Sequence, residues 1–375
     1  MKRVAIIATV VVLGFIGRAE AYPEFQLSRD QTCVSCHIAP SGGGLLNENG
    51  MTTAEAISHF GHRPEFFYNA IPTPSWLTLG GEIRTLYGYM RTPQQYLVGF
   101  PMQDDLYASA KFADHFHVTA TVGYRPGEYK NEAATHVWSR EHYVMWQQSA
   151  DTDEGLFVRL GRFMPVFGLR FAEHPLYERQ FGGTALYTET YGVAVEYVTP
   201  QFEIHGTGFI KDPLIDSVAH DNGGALYGEY RAAENLSVGA EGMVTVSADD
   251  KKYRGGVTAK YYVKDADLLL EGEGQIVNQH IGAFGLNQLV AQLMVTKFLP
   301  AGFMADLGIG HYNENLRIKG LDREAFDLNI HYFWDSHTEI TLVTRLELIN
   351  LGRTTGTDIG GPTGGYALLQ LHYRL

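Results

Sequence analysis

From Trp76 to Leu375 the chain alternates apolar and polar residues almost without a break. A period of two places one residue type on each face of a strand. In the first such run Leu77, Leu79, Ile83, Tyr87 and Tyr89 share one face, and Thr78, Gly80, Glu82 and Arg84 share the other. The pattern returns with Phe326, Leu328, Ile330, Tyr332 and Trp334 against Asp327, Asn329 and His331, and again with Ile340, Leu342, Leu346 and Leu348 against Glu339, Thr341, Arg345 and Glu347. No segment beyond the first twenty residues holds the ~18 unbroken apolar residues of a transmembrane helix. Strands that are apolar on one face and polar on the other suit a closed barrel in lipid, where each backbone group pairs with a neighbouring strand.

About sixteen runs can be counted, starting near residues 76, 103, 115, 136, 155, 188, 201, 223, 235, 253, 266, 285, 301, 323, 337 and 364. Their connections alternate in length. One set, near 92–102, 125–135, 164–187, 211–222, 248–252, 277–284, 313–322 and 350–363, is mostly long, and the other set is short throughout. Outer-membrane barrels have long outer loops, short periplasmic turns and an even strand number. A soluble β-sandwich would also alternate in polarity, but nothing would make its loops alternate in length. The expectation is therefore an all-β transmembrane barrel of about 16 antiparallel strands in the outer membrane, with both chain ends periplasmic. Ala367, Leu369, Leu371, Tyr373 and Leu375 carry the apolar face to the carboxyl terminus, as in the terminal strand read by barrel-assembly machinery, where Phe is the commoner last residue.

Lys2 and Arg3, the apolar run Val4–Ile16 and Ala19-Glu20-Ala21 form a signal peptide over residues 1–21, so the mature chain is expected to begin at Tyr22. Its removal takes away Lys2, Arg3, Arg18 and Glu20 and moves the net charge from −13 to −15. An acidic exported protein is no nucleic-acid binder, although it can attract small cations.

Residues 22–75 carry a different signal. The only two cysteines lie in Cys33-Val34-Ser35-Cys36-His37. C-x-x-C-H is the spacing at which two thiols form thioethers to a haem while the adjoining histidine reaches the iron. A zinc site would need about four ligands gathered from scattered histidines, and a redox dithiol expects a βαβ setting. The expectation is one covalently attached haem c, with Cys33 and Cys36 as tethers and His37 as proximal ligand. Gly42-Gly43-Gly44 could pass close to a porphyrin, and Thr52-Thr53-Ala54-Glu55 resembles a capping box opening a helix that runs to about Phe60. A segment of about 54 residues with so little apolar material needs the haem or the barrel wall as its core.

For the sixth iron position the nearest candidates are His59, His62 and Met51, the histidines being preferred. The other histidines, His174 and His331 among them, read as lumen or loop residues. Gly161–Arg170 resembles the glycine- and proline-bearing segment of phosphate-selective-type porins, in which a loop folds inward. Arg159, Arg162, Arg170 and Arg179 would then line a constriction. Acidic pairs such as Asp104-Asp105, Asp249-Asp250 and Glu271/Glu273 show no built metal spacing. There is no phosphate loop, H-E-x-x-H or G-x-S-x-G motif.

Pro23-Glu24-Phe25, Thr32 to His37, Pro40, Gly42 to Gly44, Leu46-Asn47 and Gly50 together resemble the amino-terminal haem segment of the fused monohaem cytochrome-porins of the bacterial outer membrane. Cys33, Cys36 and His37 match the attachment residues of that family one for one, and no distal ligand carries over. The resemblance implies one c-type haem joined to a barrel of about sixteen strands. Some members are implicated in oxidising ferrous iron outside the cell. The expected function is electron transfer between an extracellular donor or acceptor, ferrous iron among the candidates, and periplasmic carriers such as cytochromes. It describes an electron carrier more than an enzyme. The alternatives are a passive porin or a sheath for partner cytochromes with a sensory or structural haem, and a peroxidase-like haem enzyme with an open sixth position.

Overall fold

In the computed structural model the described residues are 24–92, 94–124, 137–150, 154–185, 188–212, 222–349 and 362–375. The signal peptide expected at residues 1–21 lies outside them. The wall strands are β1 Leu77–Thr92, β2 Gln94–Phe112, β3 Phe116–Tyr124, β4 in two pieces (Val137–Trp138 and His142–Gln147), β5 Gly155–Phe163, β6 Thr190–Val198, β7 Phe202–Ile210 and β8 Asn222–Ala233. They continue with β9 Leu236–Val246, β10 Asp250–Val263, β11 Leu268–Ile281, β12 Phe284–Leu299, β13 Phe303–Asn313, β14 Asp322–Phe333, β15 Thr338–Ile349 and β16 Pro362–Arg374. Both pieces of β4 pair with β3, so they form one interrupted strand. Each strand pairs antiparallel with its sequence neighbour, and β16 closes on β1 through pairs such as Tyr87↔Leu369. The result is a closed sixteen-stranded barrel.

The burial pattern inverts that of a soluble protein. Arg159, Glu196, His205, Thr296 and Glu339 are fully buried towards the lumen, while Leu160, Val257 and Leu307 are more than half exposed on the outer face. The alternation expected for β1, β14 and β15 holds, with Phe326, Leu328 and Ile330 out and Asp327, Asn329 and His331 in.

Two expectations about connections need correction. The stretch 92–102 is not a loop, because β2 begins at Gln94 and only Pro93 separates it from β1. A register shift between Arg84 and Thr85 absorbs Met102 beside Pro101, the kind of irregularity at which a strand tolerates proline. Between β11 and β12 only residues 282 and 283 remain, with Gly282 turning at a φ of 56°. The expected loops at 125–135 and 350–363 fall mainly outside the described residues.

The segment before β1 contains α1 Phe25–Ser28, α2 Cys33–Cys36, α3 Glu48–Ile57 and a 3₁₀ turn Phe66–Asn69. The third helix starts earlier than the expected capping box at Thr52. Asn47 caps it, its Oδ1 accepting from Gly50 N at 2.9 Å, and Thr52 lies inside the helix with its hydroxyl on Glu48 O at 3.1 Å. The segment fills the short-connection end of the lumen. Phe25, Leu27 and Ile57 pack on Tyr262, Leu269, Phe298, Met304 and Phe333, while Val34 packs on Tyr143, Met145 and Phe163 across the barrel.

A second insertion follows β5. Residues 164–185 fold into the lumen, as the Gly161–Arg170 run suggested, and carry α4 Tyr177–Gln180. Phe167 packs on Phe209 and Met243, Phe171 and Leu176 on Met294, and Tyr177 on Val277, Val290 and Tyr312. The loop thus spans from β5 to the opposite wall.

Candidate functional site

A cavity of about 400 Å³ lies where the amino-terminal segment, the inward loop and the wall meet. That is the size of a small-molecule or cofactor site. Cys33, Cys36, His37 and the Gly42–Gly44 loop form one side of it. Thr32 precedes the motif helix and its N–H donates to Ser35 Oγ at 3.2 Å, holding the first turn. Asn47 Nδ2 donates to Val34 O and Asn49 Nδ2 to Ser35 O, both at 2.8 Å, which ties α2 to α3. Gly50 is required at this junction, since a Cβ there would lie 2.0 Å from Cys36 O.

The two thiols are not joined to each other. Gln26 Nε2 donates to Cys33 Sγ at 3.2 Å, and Cys36 Sγ donates to Gln31 Oε1 at 2.6 Å. Burial pushes the Cys33 thiol up to about 11, with Arg170 pulling the other way. A redox dithiol has the opposite shift. Burial also draws the His37 imidazole down to about 4, which leaves it neutral and able to donate a lone pair.

Gly42 adopts a φ of 78°, and a Cβ there would sit 3.2 Å from Cys33 Sγ and 3.9 Å from His37 Cδ2. The loop therefore passes close to the motif in a backbone conformation that favours glycine. Two wall-anchored arginines hold it there. Arg159 Nη1 donates to Ser41 Oγ and Arg170 Nη1 to Ser41 O, each at 3.1 Å. Arg159 is itself paired with Glu196 at 2.7 and 2.8 Å, fully buried. These two arginines of the expected constriction thus clamp the amino-terminal segment. Arg162 donates to Ser139 O at 2.6 Å, and Arg179 to Phe171 O and Thr184 O at 2.6 and 2.8 Å.

The rest of the cavity wall is mixed in character. Phe25, Leu45, Ile57, Val166, Phe167 and Phe171 supply apolar surface, Arg84, Arg140, Arg170, Arg179 and Arg374 supply cations, and Glu82, Glu141, Glu189 and Asp335 supply carboxylates. Arg84 pairs with Glu82 and Arg140 with Glu189, so the apolar surface is what suits a flat apolar group.

Met51 lies on the cavity wall, whereas His59 and His62 do not. His59 is exposed at the barrel rim. Its Nδ1 is 2.7 Å from the Tyr332 hydroxyl and its N–H donates to Phe333 O at 2.9 Å. The neighbouring Phe60 rests on Trp334, with ring centroids 5.0 Å apart. His62 is exposed too, and Ser336 Oγ donates to its carbonyl. Two lining residues from the inward loop, Met164 and His174, were not among the iron-ligand candidates read from the sequence. Burial and the adjacent Arg179 hold His174 well below the usual imidazole range. Only the inward-loop resemblance of Gly161–Arg170 could have drawn attention to them.

No protein-family model matches the chain, and neither does any curated protein. Solved structures do match. The chain is similar to the outer-membrane expressed OmpT of Vibrio cholerae, with a TM-score of 0.60 at 11% identity, covering 81% of this chain and 100% of that one. The fold is that of a porin-like outer-membrane barrel. The outer membrane channel DcaP of Acinetobacter baumannii matches with a TM-score of 0.55 at 11% identity over 80% of this chain and 97% of its own. Salmonella typhi OmpF, in complex with daunomycin, matches at 0.58 and 10% identity over 80% and 97%. At these identities the likeness covers the porin-like barrel, and about a fifth of the chain lies outside the alignments.

Proposed function

We propose that the chain is an outer-membrane electron carrier in which one haem c occupies the lumen cavity, tethered by Cys33 and Cys36 with His37 on the iron. The observation that carries this reading is the placement of the C-x-x-C-H helix, with its glycine loop, on the wall of a cavity inside a lipid-facing barrel. The haem would supply one-electron chemistry at a potential set by axial ligation and burial. The chain's own contributions are distinct. The buried, neutral His37 would offer a ligand atom, the cavity arginines would supply positive charge for porphyrin carboxylates, and the clamp on Ser41 fixes the loop against the motif. His59 and His62 stand at the rim, and the side chains on the cavity wall that could offer an atom to the iron on its other side are Met51, Met164, His174 and His372.

In this reading the short-connection end faces the periplasm and meets cytochrome carriers, and the long-connection end faces the extracellular donor or acceptor, ferrous iron among the candidates. Within a barrel about 25 Å tall, a haem in the lumen can be approached from both sides. A second reading, a passive porin, is favoured by the channels among the structural neighbours. Proteoliposomes separate the two. With an impermeant reductant outside and an oxidised dye trapped inside, the carrier reduces the dye while passing little ionic current in planar bilayers. Large, steady porin-like conductance with no dye reduction would overturn it.

A further inference from the structure

We infer that the protein holds one divalent first-row metal ion at a site distinct from the haem motif, formed by Glu173 of the inward loop, Asp306 of β13 and His331 of β14. One oxygen of each carboxylate and one imidazole nitrogen lie within 4.8 Å of one another. His331 is oriented as a ligand would be. Its Nδ1 is 2.9 Å from Glu339 Oε1, which leaves Nε2 turned to Asp306 Oδ2 at 2.8 Å. A carboxylate on the far nitrogen is the usual support of a metal-bound histidine. The 2.8 Å Nε2 to Oδ2 separation is also close to the ligand–ligand edge, about 3 Å, of an octahedral coordination sphere with bonds near 2.1 Å.

As an imidazolium His331 would pair with Asp306 and Glu339, one charge between two carboxylates, and further acids stand around them. Asp306 is 2% exposed, and its other oxygen, Oδ1, accepts from no group among the described residues. The same holds for both oxygens of Glu271 and for Oε2 of Glu24, each of these residues at most 3% exposed. Glu24 stands among Glu271, Asp306 and Glu173, so like charges converge here. The four acids come from the amino-terminal segment, the inward loop and two wall strands. A cation among them would offset their repulsion and stitch these three parts together. One imidazole with several carboxylates suits manganese, ferrous, cobalt or zinc ions better than a thiolate-seeking metal. Glu173 sits between Ala172 and His174, and Glu24 before Phe25, so the ion would lie next to the cavity of the proposed haem.

The test uses full-length protein purified from membranes and stripped with a chelator. It is titrated with Mn(II) while the free-ion electron paramagnetic resonance signal is followed, and so it does not depend on haem content. The expected result is one saturable Mn(II) per chain, with affinity reduced at least about 10-fold in Asp306→Asn and in Glu173→Gln and unchanged in the remote Glu314→Gln. Glu173 lies on a loop, so its variant guards against loss of the barrel, which heat-dependent gel mobility checks in each case. No saturable binding, or equal binding in the native protein and both site variants, would overturn the inference.

Discussion

Gly42 concentrates the site's demands on a single residue. Its φ of 78° costs an L-residue about 1–2 kcal/mol, and a Cβ would also press on Cys33 Sγ at 3.2 Å. Gly43 has a φ of 76° but nothing within 4 Å of its Cβ position. Gly42→Ala should therefore lower covalent haem yield several-fold more than Gly43→Ala, as read from haem absorbance per barrel. Arg159 is the complementary case. Truncating one partner of a buried, hydrogen-bonded ion pair costs about 3–5 kcal/mol, because the other charge is left stranded. Arg159→Met should lower the temperature at which the barrel loses its folded gel mobility. The double variant with Glu196→Gln should recover part of that loss. An equal drop in the single and double variants would place the role of Arg159 in its contacts with Ser41 instead.

Among the elements, the inward loop joins wall and amino-terminal segment, and its short helix carries a buried acid, Glu178, neither of whose oxygens has a partner among the described residues. Burial and Glu273 push its carboxyl well up, against a smaller pull from Arg179, and Glu241 faces the same pair of acids. A folded-state value above the unfolded one stabilises fully below the usual carboxylate range and is lost as pH rises through the folded value. The native barrel should therefore lose thermal stability as pH rises above the usual carboxylate range, and Glu178→Gln should flatten that slope. An unchanged slope would show that Glu178 ionises freely in the fold. The sequence makes the wall legible because polarity alternates wherever one face meets lipid, and most strand starts fall within three residues of the expected ones. It misled at β2, where the stretch 92–102 reads as a connection although the bulge at Met102 carries the strand through. The Cys33–His37 motif was readable because its ligand types are adjacent. Glu173, Asp306 and His331 were not, because only the loop's path and the β13–β14 register bring them together.

At the scale of the whole molecule, two insertions occupy a lumen that the wall alone would leave open. The amino-terminal segment is pinned from opposite sides, by Val34 against β4 and β5 and by Phe25 and Leu27 against β10 to β14. Arg231 at the rim of β8 adds a third hold, with Nη2 on Gln31 O at 2.9 Å and an ion pair to Asp30. A lumen filled in this way leaves less room for bulk diffusion, and under the proposed function it would hold a fixed redox group. The account rests on that group being attached where the motif lies. The most direct measurement is the mass and haem absorbance of the denatured protein, made in cells that attach c-type haem, for the native chain and for Cys33→Ser with Cys36→Ser. One covalent haem per native chain and none in the variant is the predicted result. A native chain without covalent haem, or a variant that keeps it, would contradict the account.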